Sequence, residues 1–176
     1  MCVAALCHKK QKGGIMIALR MISLALVLLF AMVPARAEDF AALLSAYRQA
    51  HGLSAVKPDA QLTAVAERQA RAMAAKGVMD HNVAGPFATR IAEVPVGGAG
   101  ENLAQGTPSW ADTLQRWEGS PGHNSNLLMQ GATHVGIAVA YDANKVPFRA
   151  MVIARKPTPQ EVKMHQTMPV LGGWVN

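Results

Sequence analysis

The chain has 176 residues, with 17 Lys and Arg against 11 Asp and Glu, a formal net charge of +6 and an isoelectric point near 9.7. Five of the basic residues and none of the acidic ones fall within the first 37 positions, so residues 38–176 carry 12 against 11, and the basic balance gives no argument for nucleic-acid binding or for adhesion to a membrane surface. Both cysteines, Cys2 and Cys7, lie in that same segment, which excludes a disulfide, a thiolate metal site and a cysteine nucleophile from the rest of the chain.

Lys9, Lys10, Lys12 and Arg20 precede an apolar run from Ile22 to Val33, and Ala35-Arg36-Ala37 then supplies the small residues of an A-x-A cleavage site. This order reads as a cleaved export signal over residues 1–37, with Met16 and Met21 as alternative starts. The run is shorter than the roughly 20 residues a membrane-spanning helix needs, and no later stretch is long enough. The expectation is a soluble exported protein, periplasmic or extracellular. Cys7 precedes the apolar run, which argues against a lipoprotein anchor.

Phe40, Leu43, Leu44 and Tyr47 fall at i, i+3, i+4 and i+7 and mark one apolar helix face, ended by Gly52. Pro58 and Asp59 open a second helix, with Asp59 as its cap, an apolar stripe of Leu62, Val65, Ala66, Ala70 and Met73, and Gly77 just past its last turn. From Val78 to Thr107 glycine and proline interrupt every pattern, so this stretch reads mainly as loop with short extended pieces. Ser109 caps a third helix with Trp110, Leu114 and Trp117 on one face. Gly119 and Pro121 stop it and leave His123 on a tight turn. Val135–Tyr141 and Phe148–Ala154 read as two strands joined across Asp142-Ala143-Asn144-Lys145, and Pro147 favours an edge position for the second. Helices, a loop-rich middle and an antiparallel hairpin describe one α+β domain over residues 38–156, followed by a C-terminal tail over 157–176 that is partly ordered against it. The length is enough for a domain that buries roughly two thirds of its unfolded surface.

The chemistry-bearing residues concentrate in three segments: Asp80-His81, Gly98-Ala99-Gly100-Glu101-Asn102 and Trp117-Glu118-Gly119-Ser120-Pro121-Gly122-His123. Imidazole and carboxylate donors suit Zn²⁺ or another divalent cation. Spacing alone does not assemble them, because no H-E-x-x-H places two ligands on one helix face. Hydrogen-bonded structural histidines explain the same residues. Glu101 has two readings, a loop-holding carboxylate or the partner that fixes an imidazole tautomer. Asn102 holds the loop, Ser120 belongs to a Ser-Pro-Gly turn rather than to a nucleophile elbow, and Gly100, Gly122 and Trp117 are structural. Glu118 faces the negative end of its helix, at a cost of about 0.3–1 kcal/mol that a cationic partner would relieve. A solvated Glu118 beside Arg116 is the alternative.

In order and spacing these segments resemble the CAP superfamily, the cysteine-rich secretory, antigen 5 and pathogenesis-related proteins, and most of all its bacterial branch, which carries a GEN segment followed by W-x-x-S-P-G-H. The resemblance runs from about Phe40 to Ala154. It implies an α-β-α sandwich with a small antiparallel sheet between helices, and a cleft lined by His81, Glu101 and His123. The family's second glutamate would fall at Ser120, so the full set of two histidines and two glutamates is not matched. Asn124 stands where bacterial relatives often carry a basic residue, and Arg90 lies in a region where they often carry arginine, here read as a salt-bridge partner. Animal and plant relatives are typically disulfide-braced, whereas this domain must rely on core burial. Since some relatives bind lipids, some bind divalent cations and no reaction is common to the family, the resemblance implies a ligand- or metal-binding extracytoplasmic module; the expected partner is a small ligand, a lipid or an envelope component, and the expected state is a monomer. Phe87, Ile91, Val94 and Val96 are candidate lining for a lipid groove. The alternatives are a hydrolase in which a metal on His81 and His123 activates water, with Glu101 or Glu118 as general base, and an envelope protein that binds its partner through the loop from Gly85 to Gly100.

Export with cleavage after Ala37 predicts that mass spectrometry of the extracytoplasmic protein finds a chain beginning at Glu38. Retention of Ile22–Val33 would instead make that run an anchor.

Overall fold

The computed structural model describes residues 39–167; the signal reading and the end of the tail lie outside them. Helix α1 spans Phe40–Ala50 and strand β1 Lys57–Pro58, followed by α2 over Ala60–Lys76 and α3 over Phe87–Ile91. Strand β2 runs over Ala99–Gln105, α4 over Trp110–Glu118 and α5 over Pro121–Leu127, before β3 at His134–Tyr141, β4 at Pro147–Ala154 and α6 at Pro159–Thr167. The caps follow the sequence. Asp39 accepts from Ala41 N and Ala42 N, Asp59 from Leu62 N and Ser109 from Asp112 N, and Gly77 closes α2 in the left-handed region at φ 66°.

The four strands lie in the order β1-β3-β4-β2. β1 is parallel to β3, while β3/β4 and β4/β2 are antiparallel. Every residue of β4 from Phe148 to Ala154 is buried, and its alternation divides the core. Met151 and Ile153 point to one face, against Phe40, Leu44, Leu114, Trp117 and Leu127 of α1, α4 and α5. Phe148, Ala150 and Val152 point to the other, against Leu62, Val65, Ala66, Ala70 and Met73 of α2. The result is an α-β-α sandwich with the sheet between two helical layers.

Several elements differ from their sequence reading. Pro147 begins an interior strand, a first-residue position that asks for no ladder N–H. Pro121 does not leave a bare turn after α4: it sits at the start of α5, where its fixed φ and missing N–H suit the first helical turn, so His123 is helical. The stretch read mainly as loop contains the full-length strand β2. Val94 is buried in the α2-side core, and Phe87, Ile91 and Val96, partly buried, pack against it. At Gly136 an added Cβ would lie 2.1 Å from the backbone of Leu62 and Thr63, so α2 approaches β3 where only glycine fits.

Trp117 is fully buried and donates its indole N–H to Leu103 O at 2.9 Å. Trp117→Ala should cost about 3–5 kcal/mol, and Gly136→Ala should also lower the melting temperature because backbone must move to admit it. Gly122→Ala, where a Cβ meets open space, should melt like wild type.

Candidate functional site

The candidate residues gather around β2, at the edge of the sheet. Glu101 lies in register with Val152 and so points to the α2 side, whereas Asn102 lies in register with Met151 and points to the α4/α5 side. Each secures a different histidine. The Glu101 side chain is 1% exposed and takes two bonds from Arg90, Nη1 to Oε2 at 2.7 Å and Nη2 to Oε1 at 2.9 Å. Arg90, carried by α3 and itself buried, also donates to Gly85 O and His81 O, so one guanidinium fixes both the carboxylate and the loop that bears His81. The His81 ring meets Glu101 Oε1 through Nδ1 at 2.8 Å. A carboxylate held by arginine is an acceptor only, which places an imidazole proton on Nδ1 and, when the ring is neutral, the lone pair on Nε2. The His81 side chain is 52% exposed, so that nitrogen is within reach of a ligand.

On the other face, Asn102 Nδ2 donates to His123 O at 3.0 Å, and its Oδ1 accepts from Asn126 Nδ2 at 2.8 Å. Asn126 also donates to Glu101 O and lies so close to β2 that a Cβ at Gly100 would come within 2.4 Å of its Oδ1. The glycine of the GEN segment is thus the point where α5 rests on the strand. His123 Nδ1 shares a hydrogen bond with Ser120 Oγ at 2.9 Å, and its ring lies 6.3 Å from that of Trp117. A hydroxyl serves either imidazole tautomer. Burial first, and then the charge of His81, hold the His123 pKa below the usual histidine value. Glu118 is half-exposed at the end of α4, and among the described residues no hydrogen bond or ion pair engages its carboxylate. Nor do the described residues bring three His, Cys, Asp or Glu side chains together in a group able to hold a metal ion.

Three supporting residues escape a reading of the chemical segments alone. Gln69, fully buried on α2, donates to Asp80 O at 2.6 Å and holds the backbone just before His81. Arg48, buried on α1, donates to Ser54 O, Leu127 O, Met129 O and Ala132 O and so ties down the C-terminal end of α5. Tyr47 donates to Asn124 Oδ1 at 2.8 Å. Arg48 and Gln69 had a signal in the sequence: each is a polar residue set within the apolar stripe of its helix, as Phe40-Leu44-Arg48 and Leu62-Val65-Gln69 show.

This fold is that of a CAP-type domain, and a model of the CAP, or cysteine-rich secretory protein, family matches residues 41–151. The chain belongs to that family. It is similar to the uncharacterized protein YkwD of Bacillus subtilis, with 30% identity over 99 residues, 54% of this chain and 38% of that one. Among solved structures it is similar to an extracellular protein containing an SCP domain from Bacillus anthracis, at 27% identity and a TM-score of 0.58 over 66% of this chain and 39% of that one. An outer surface protein of Borrelia burgdorferi shares the fold at 17% identity and a TM-score of 0.60, over 66% of this chain and 89% of its own. The chain thus spans under two fifths of the two Bacillus proteins.

Because the folded pKa of His123 lies below the unfolded value near 6.5, the unfolded state binds the proton more readily between the two values. The stability from neutral His123 should be complete above about pH 6.5 and fall away as pH drops toward the folded pKa. An NMR titration should place the His123 midpoint below the ordinary histidine range, and His81→Gln should raise it.

Proposed function

We propose that this chain is an exported binding module whose cleft recognises a small ligand or a divalent cation through His81 and His123. The observation that carries the reading is the division of labour at Glu101: the carboxylate is spent on Arg90 and on His81 Nδ1, which fixes a half-exposed imidazole through one nitrogen and leaves the other uncommitted among the described residues. The two imidazoles suit zinc or a similar borderline ion, but as a pair they leave coordination positions to be filled by water or by groups of a bound ligand. A closed structural metal centre does not fit this donor set. Export is supported by the N-terminal charge and apolar pattern and by the extracellular and outer-surface descriptions of the similar bacterial proteins. No helix among the described residues is long and apolar enough to cross a membrane.

The hydrolase alternative has less support. A general base must be free to take a proton, and Glu101 is fixed in a buried ion pair, while Glu118 joins no cluster of three donors.

Calorimetry with zinc on wild type, His81→Ala, His123→Ala and Glu101→Gln tests the reading. Affinity should fall in each variant, by about 10–100-fold for Glu101→Gln, which loses the oriented imidazole, and it should weaken as pH falls through the histidine range. Equal affinity in all four proteins would remove the metal. Loss of binding without hydrolysis of peptide or ester libraries would leave the binding module standing.

A further inference from the structure

Among the described residues, β1 covers β3 only at His134 and Val135, and no strand pairs with its outer side from Gly136 to Tyr141. The direction of its backbone groups follows from the neighbouring bonds. Asp142 N donates to Val146 O across the hairpin, whereas Val135 O accepts from Asp59 N on the outer side. Even-numbered residues of β3 therefore bond to β4, and the N–H and C=O groups of Ile137, Val139 and Tyr141 point outward. Among the described residues nothing bonds to them. Val139 and Tyr141 are exposed large apolar side chains, and Gly136–Tyr141 contains no charge and no proline, the devices that usually guard an edge.

We propose that this edge pairs with the same edge of a second copy of the chain, antiparallel about a twofold axis at Val139. The three outward-facing residues are spaced symmetrically about that position, so Val139 meets Val139 of the second copy and Ile137 meets its Tyr141. This is the self-complementarity that an isologous interface requires.

Charges on the helix above the edge match the same axis. α2 runs alongside β3, with Leu62 and Thr63 over Gly136, and Arg71 beside Tyr141 around a surface depression of about 540 Å³. Glu67 lies on this outer side of α2, near Pro58 and Thr63, while Arg68 turns the other way to Glu93. Glu67 and Arg71 form an exposed i,i+4 pair at 3.1 Å. The twofold that pairs the strands sets the two α2 helices antiparallel, so Glu67 of one copy faces Arg71 of the other, and Arg71 faces Glu67. A monomer, the expectation from sequence, leaves these complementary features without use. The proposal does not rest on the cleft, which lies at the opposite edge of the sheet.

Sedimentation and light scattering on the protein as the cell exports it should give twice the chain mass at high concentration. Val139→Lys places two like charges opposite one another at the axis and should leave a folded monomer by circular dichroism. Glu67→Arg should weaken the dimer, and adding Arg71→Glu should restore it, a rescue that a merely structural effect would not give. A wild type that stays monomeric at every concentration would overturn the proposal. So would a dimer indifferent to both the lysine and the charge swaps, or a monomer that takes up an extended foreign peptide at this edge instead.

Discussion

Consecutive residues of a strand point to opposite faces, and the site depends on that rule at Glu101 and Asn102. One points to the α2 side, the other to the α4/α5 side, and from there Glu101 bonds the His81 ring while Asn102 bonds the backbone carbonyl of His123. Glu101 can occupy its place only because Arg90 is there. An ionised carboxylate with a 1% exposed side chain would carry a large desolvation penalty if unpaired, and removing one partner of such a pair costs on the order of 3–5 kcal/mol. The same guanidinium also holds two carbonyls of the His81 loop, so the charge that makes Glu101 tolerable also sets the position of His81.

Arg48 plays a corresponding part on the other side. Its cation is buried among backbone carbonyls, four of which accept its bonds, and these come from the segment that follows α1 and from the last residue of α5 and the segment after it. A loop running through the interior leaves carbonyls away from water, and arginine, with five donors in a rigid fork, satisfies several at once. Without cysteine, the domain is cross-linked by this arginine and by Arg90, together with a central strand packed on both faces.

Helices α1, α2 and α4 were legible in the sequence because their signals are local: Asp59 and Ser109 cap, Gly77 terminates, and apolar residues recur at helical spacing. β2 was not, and the reason is its buried polar residues. Ala-Gly-Glu-Asn-Leu-Ala-Gln cannot alternate apolar with polar when one face must carry Glu101 and the other Asn102 and Gly100, all three buried. Its extended form is imposed by pairing along its whole length with β4, a non-local effect. α5 was hidden in the opposite way, since Ser-Pro-Gly signals a turn and a helix start equally well and only packing against Gly100 decides between them. The donor residues themselves were visible as a motif, but Gln69 and Arg48 looked like ordinary polar helix positions unless their place in the apolar stripe was weighed.

Ser120 has an electrostatic consequence. In the family pattern that position supplies a second carboxylate, whereas here it supplies a neutral hydroxyl to His123 Nδ1. The remaining buried carboxylate is balanced by Arg90, so with both imidazoles neutral these groups carry no net charge among them. A cation entering the cleft would find lone pairs rather than an attractive field, and each protonated imidazole would add repulsion to the loss of a donor. What the residues from Arg90 through Glu101 and Asn102 to Asn126 hold in place is the His81 ring and the backbone carbonyl of His123.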